Sequence, residues 1–169
     1  MSRFPSKIVS EEQSAQAANG LLVGRFARTL DPKKRLTIPS EWRTALGLNE
    51  PGAYVYVVAN PTLECLNILP RNFLESRLAE LEQKAIFDDA LNEKLEAIGE
   101  NVQLLEVDSQ GRIRISNELL DMAGLKDGVV LKGLFRMAQI WATDKATLGT
   151  STTPANRERY RESVKDLGL

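Results

Sequence analysis

Histidine is absent from the 169 residues, and cysteine occurs once, at Cys65. Without histidine the commonest general base is missing. A single cysteine makes neither an intrachain disulfide nor, lacking histidine partners, a zinc site, and it fits a reducing cytosol. No apolar run approaches the roughly 20 residues that a bilayer-crossing helix needs, so no membrane partner is expected. The first 19 residues are polar, carry Glu11 and Glu12 and contain no apolar stretch, so they are not expected to be a signal peptide. The sequence has no nucleophile–base pair and no phosphate-cradling Gly-rich loop. The expectation is a cytoplasmic protein that is not an enzyme, with no cofactor, no metal and no small-molecule substrate.

Charge is plentiful but segregated. The net charge is −1, which by itself argues mildly against a nucleic-acid partner. Yet residues 21–48 carry Arg25, Arg28, Lys33, Lys34, Arg35 and Arg43 against only Asp31 and Glu41. Residues 75–106 hold nine acids against three bases, Arg77, Lys84 and Lys94. Such a chain has one basic and one acidic face, which the total conceals.

The chain also resembles itself. Leu30-Asp31-Pro32-Lys33-Lys34-Arg35-Leu36-Thr37-Ile38-Pro39 recurs 77 residues later as Val107-Asp108-Ser109-Gln110-Gly111-Arg112-Ile113-Arg114-Ile115-Ser116. The same offset pairs Glu41 with Glu118, Gly47 with Gly124 and Leu48 with Leu125. After one gap Gly52 meets Gly128, and 53–58 is expected to match 129–134. Each copy reads as a strand (22–30; 102–107) running into a tight turn opened by Asp, whose carboxylate can accept from backbone N–H groups ahead of it. An alternating strand follows, with Leu36 and Ile38 or Ile113 and Ile115 inward. Next comes a short helix with Ser40 or Asn117 as N-cap and Gly47 or Gly124 beyond its end. Two further strands close each unit, 53–58 with 65–69 and 129–134 with 137–141. One such unit of roughly 45 residues buries too little surface to fold well alone; two interleaved copies do not have that difficulty.

Between the copies, Leu74, Leu78, Leu81 and Ala85 form one helical stripe, and Leu91, Leu95 and Ile98 continue it after a break at Phe87-Asp88-Asp89. This predicts a helical hairpin with an acidic outer face. A last helix is expected over 156–167. The expected division is an N-terminal extension over 1–21, repeat one over 22–72, a helical linker over 73–100, repeat two over 101–147, and a linker with a C-terminal helix over 148–169. The fold class is α+β.

Gly24-Arg25-Phe26, Thr29-Leu30-Asp31-Pro32-Lys33-Lys34-Arg35-Leu36-Thr37-Ile38-Pro39 and Trp42-Arg43 together resemble the opening signature of the MraZ family. Asp108-Ser109-Gln110-Gly111-Arg112-Ile113, Ala123-Gly124-Leu125, Gly133 and Ile140-Trp141 resemble that family's second half. The resemblance covers roughly 22–141. It implies an AbrB-like β-barrel of tandem swapped hairpins, closed within one chain, with chains assembling into rings. It further implies a transcriptional regulator, commonly a repressor, that binds G-rich direct repeats in double-stranded DNA upstream of the division and cell-wall gene cluster. Such a protein is cytoplasmic and nucleoid-associated. The DNA-contacting arginines of the family match Arg35 and Arg112. One departure stands at Lys34, where the family has Gly, as the second copy does at Gly111. A lysine held at positive φ costs about 1 kcal/mol, unless the turn takes another form.

The chemistry of the first turn suits DNA. Lysines attract phosphates as point charges, while arginine can also bond guanine O6 and N7 as a fork. Lys33, Lys34, Arg35 and Arg112 are therefore the expected DNA-binding residues, and Asp31 and Asp108 the residues that brace the turns. The plainer alternative for the Asp31–Arg35 pair is a surface ion pair worth under about 1 kcal/mol. Arg25, Arg28 and Arg114 are expected on solvated faces. Trp42, Trp141, Phe26, Tyr54 and Tyr56 are expected to be core rather than base-stacking platforms, and Cys65 a small core residue. Two other functions remain open at this point. One is an antitoxin-like DNA-binding protein of the same superfamily; the other is a structural oligomer without DNA affinity.

Overall fold

The computed structural model describes residues 20–146 and 154–169. Nearly all of the expected N-terminal extension and the start of the expected 148–169 segment lie outside those residues. Repeat one contains β1 (Arg25–Thr29), β2 (Arg35–Thr37), α1 (Ser40–Arg43), β3 (Tyr54–Asn60) and β4 (Cys65–Leu69). A helical hairpin of α2 (Arg71–Ala85) and α3 (Asp89–Gly99) follows. Repeat two contains β5 (Gln103–Glu106), β6 (Arg112–Arg114), α4 (Asn117–Ala123), β7 (Gly128–Gly133) and β8 (Ala138–Ala142). Two helices end the chain, α5 (Thr143–Ala146), which periodicity did not reveal, and α6 (Pro154–Asp166). The fold is a mixed α and β one with antiparallel sheet.

The strand order in the larger sheet is β1-β7-β8-β4-β3-β5, and β2 pairs with β6 in a separate two-stranded ribbon. The first strand of each repeat thus lies against the third strand of the other: β1 on β7 and β5 on β3. The second strands pair with each other, and so do the fourth. The four pairings across the repeats follow the same local two-fold relation, in which Leu36 faces Ile113 and Asn67 faces Gln139.

The pleat explains the core. Along β3 every second residue is buried, Val55, Val57 and Ala59, and β4 and β8 add Leu66, Ile68 and Ile140, all fully buried. Leu36 and Ile113 close this core from the ribbon side with no exposure. Trp42 is buried, its ring edge-on to Phe26 at 5.3 Å, and its Nε1 donates to Val23 O at 2.8 Å, which satisfies its one donor.

Four expectations need correction. Leu30 N donates to Asp127 O at 2.8 Å, and Val107 N donates to Ala53 O at 2.9 Å. These equivalent bonds match Val55 to Val129 and Val57 to Leu131, so repeat one has three extra residues before its third strand and the Gly52–Gly128 match slips by two. In α4 the cap is Ser116, whose side chain accepts from Leu119 N, and not Asn117; α1 has Pro39 at the cap position and no side-chain cap. Trp141 is only half-buried on the outer sheet face, with Lys132 Nζ 4.9 Å from its ring centre. Tyr54 and Tyr56 are half-buried too, edge-on to each other beside Arg71.

Candidate nucleic-acid interface

The two Asp-x-x-x-Arg turns are built bond for bond alike. In the first, Asp31 N donates to Arg35 O at 3.1 Å and Lys34 N to Asp31 O at 2.9 Å. The Asp31 carboxylate accepts from the backbone N–H of Lys33 at 2.9 Å and of Arg35 at 2.8 Å, and Arg35 Nε donates to its other oxygen at 2.5 Å. In the second, Asp108 N donates to Arg112 O and Gly111 N to Asp108 O, each at 2.9 Å. The Asp108 carboxylate accepts from Gln110 N and Arg112 N at 2.9 Å each, and from Arg112 Nε at 2.8 Å. These N–H donors, above all that of Arg35 or Arg112, hold both carboxyls below the usual aspartate range. The ionised side chain therefore serves as the turn's scaffold.

Lys34 stands where the second turn has glycine, and it takes glycine's conformation: φ is 59° at Lys34 and 76° at Gly111. The turn keeps its form and the lysine accepts the strain. Its Nζ lies 3.3 Å from Asp127 Oδ1, an exposed pair.

Both turns feed the β2–β6 ribbon, whose alternation divides it into two faces. Leu36 and Ile113 point to the core, whereas Arg35, Thr37, Arg112 and Arg114 do not. On that outer face Arg35 is directly opposite Arg114, and Thr37 opposite Arg112. Like charges directly across a ladder oppose pairing, so the ribbon carries a repulsion that a bound polyanion would relieve. Asp31 and Asp108 engage only Nε of their arginines, so the terminal guanidinium nitrogens of Arg35 and Arg112 have no partner among the described residues. That leaves the two-pronged end of each side chain, the part suited to guanine, available. Lys33 is exposed at the first turn, and Arg114 is exposed on the ribbon as expected. Arg25 and Arg28 lie apart on β1: Arg25 Nη2 donates to Ala146 O at 2.6 Å, and Arg28 sits 5.5 Å from the Phe26 ring centre.

The residue that sequence reasoning passed over is Arg43. Its guanidinium lies directly on Gly111, and its Nη2 donates to Gln110 O at 3.1 Å. It sits in repeat one but touches the turn of repeat two, a contact visible only once the two repeats interlock.

Cys65 is buried at the start of β4, and burial pushes its thiol up to about 11. That is the reverse of what a nucleophile needs. No metal-holding cluster of His, Cys, Asp and Glu and no helix long and apolar enough to cross a membrane occurs among the described residues.

A family model described as "MraZ protein, putative antitoxin-like" matches residues 100–145, the second repeat. Longer matches take in the first. The transcriptional regulator MraZ of Syntrophomonas wolfei subsp. wolfei is 26% identical over 151 residues, covering 88% of this chain and all of that one. An alignment of that length cannot omit either repeat. The chain is thus similar to MraZ proteins across both repeats. The MraZ regulators of Gluconacetobacter diazotrophicus and Mycoplasmopsis pulmonis agree, at 28% identity over 86% of each chain and 27% over 73% of this chain and 80% of that one. These MraZ relatives are named as transcriptional regulators.

Proposed function

We propose that this chain is a transcriptional regulator that binds double-stranded DNA through the β2–β6 ribbon and the two turns leading into it. The observation that carries the reading is the outer face of the ribbon, where Arg35 opposes Arg114 and the guanidinium ends of Arg35 and Arg112 have no partner among the described residues. A two-stranded β-ribbon fits the major groove of B-DNA. Lys33 and Lys34 supply phosphate contacts that set position, while Arg35 and Arg112 read guanines. Asp31 and Asp108 hold the turns in shape.

The finer reading follows the family resemblance. The exchange of first strands between the repeats supports reading the fold as a swapped-hairpin, AbrB-like barrel formed within one chain. One ribbon makes few phosphate contacts and binds weakly. A homo-oligomeric ring that repeats the ribbon binds tandem G-rich DNA repeats with avidity, because later contacts become intramolecular. The targets are direct repeats upstream of the division and cell-wall gene cluster, the outcome is repression, and the protein works in the cytoplasm at the nucleoid.

Fluorescence anisotropy with a fragment from upstream of the chain's own gene tests this, with a scrambled fragment and Arg35→Ala as controls. The expected result is selective binding that weakens steeply with salt and is lost in the variant. Equal or absent binding to both fragments overturns the reading. Light scattering is expected to show an oligomer at micromolar concentration; a stable monomer would remove avidity from the mechanism. A second reading draws on the antitoxin-like wording of the family description: the barrel would bind its own promoter while another segment holds a small partner protein. Co-purification of one such protein in fixed ratio would favour it.

A further inference from the structure

The two turns differ at Pro32 and Ser109, Lys33 and Gln110, and Lys34 and Gly111, and the last difference is matched from the opposite repeat. Turn one carries its extra cation on its own backbone, at Lys34. Turn two has Gly111 there, and the space that a side chain would enter is filled by Arg43: a Cβ on Gly111 would lie 2.4 Å from Arg43 Cζ and 2.5 Å from both Nε and Nη2. The residue equivalent to Arg43 in repeat two, by the 77-residue offset, is Leu120, buried and apolar. So lysine goes with leucine at one turn, and glycine with arginine at the other. A cation thus stands at this one position of each turn, Lys34 in the first and Arg43 in the second.

Packing alone does not account for Arg43. Among the described residues its buried Nε has no hydrogen-bond partner, and its one hydrogen bond is that of Nη2 to Gln110 O. A buried donor without an acceptor opposes folding, and leucine fills the equivalent place in the other repeat. No carboxylate pairs with Arg43 among the described residues, whereas Lys34 faces Asp127. We infer that Arg43 is a further DNA-binding residue, lent by repeat one to the turn of repeat two, where it contacts a phosphate beside the base read by Arg112. This inference rests on the DNA-binding reading above and adds a residue to that same surface.

The test is anisotropy of the full chain on the upstream fragment across a salt series, with thermal melting alongside. One neutralised phosphate contributes a salt slope of about 0.9, equivalent to about eightfold in affinity at 0.1 M salt. Arg43→Leu is expected to lose both. Arg43→Lys is expected to keep the slope. The double variant Gly111→Lys with Arg43→Leu copies turn one into turn two and is expected to recover slope and affinity. Wild-type slope in Arg43→Leu overturns the inference and leaves the DNA reading standing. So does a loss of affinity that neither Arg43→Lys nor the double variant restores, because Arg43 would then only support the turn. Failure of the wild-type chain to bind the fragment would overturn both.

Discussion

Replacing Lys34 by glycine is expected to move stability and DNA affinity in opposite directions. Lys34 holds φ at 59°, where an L-residue bears roughly 1–2 kcal/mol of strain. Glycine relieves it but returns about 0.4–1 kcal/mol through the greater freedom of the unfolded chain. Losing the Lys34–Asp127 pair, with side chains 40% and 75% exposed, removes at most a few tenths of a kcal/mol. The net is a gain of about 0.5 kcal/mol, read as a higher urea midpoint at unchanged slope. DNA affinity falls meanwhile by about one phosphate contact, and the salt slope drops by about 0.9. The matching change in turn two has the opposite sign for stability. Gly111→Ala meets the Arg43 guanidinium at 2.4 Å and φ of 76°; the flexible arginine end moves aside, and the backbone strain is expected to cost about 1–2 kcal/mol. Loss of more than about 1 kcal/mol in Lys34→Gly, or a neutral Gly111→Ala, would refute this account of the turns.

Leu36→Ala and Ile113→Ala, both fully buried and facing each other, are each expected to cost about 2–5 kcal/mol in denaturant unfolding; a loss under about 1 kcal/mol would mean that the ribbon does not close the core. Because the Asp31 and Asp108 carboxyls sit below their ordinary range, their stabilisation is complete above the unfolded value of about 3.9 and disappears as pH falls through the folded values. Thermal melting from pH 7 to pH 2 is expected to show a decline setting in near pH 4 that is smaller in the Asp31→Asn, Asp108→Asn double variant; an equal decline in both proteins would contradict the assignment. The buried Cys65 thiol, raised to about 11, is expected to alkylate far more slowly at pH 8 in the native chain than in denaturant, and equal rates would contradict its burial.

The turns were the most legible part of the chain, because an Asp that accepts from N–H groups two and four residues ahead is a local device written in consecutive residues. Leu36 and Ile113 were placed correctly by alternation alone. Which strand each hairpin pairs with was less accessible, since β3 and β7 have similar inward patterns and either could receive β1. The glycines Gly52 and Gly128 suggest a third-strand register two residues away from the one that the backbone bonds of Ala53 and Asp127 set. The apolar neighbours of Trp141 in the sequence point to the core, yet the pleat turns it outward beneath Lys132. Lys34 left two turn forms open, and the φ angle it adopts decides between them. Arg43 could not be found at all from one repeat read alone, because its partner Gln110 lies 67 residues away.

The central claim is that the β2–β6 ribbon and its two turns are the surface that meets DNA. Amide NMR of the isotopically labelled chain, titrated with the upstream fragment, tests it most directly. The account predicts shifts concentrated at residues 33–37 and 110–114 and at Arg43, with α2 and α3 unmoved. Shifts confined to the α2–α3 hairpin, or spread evenly over the chain, would contradict it.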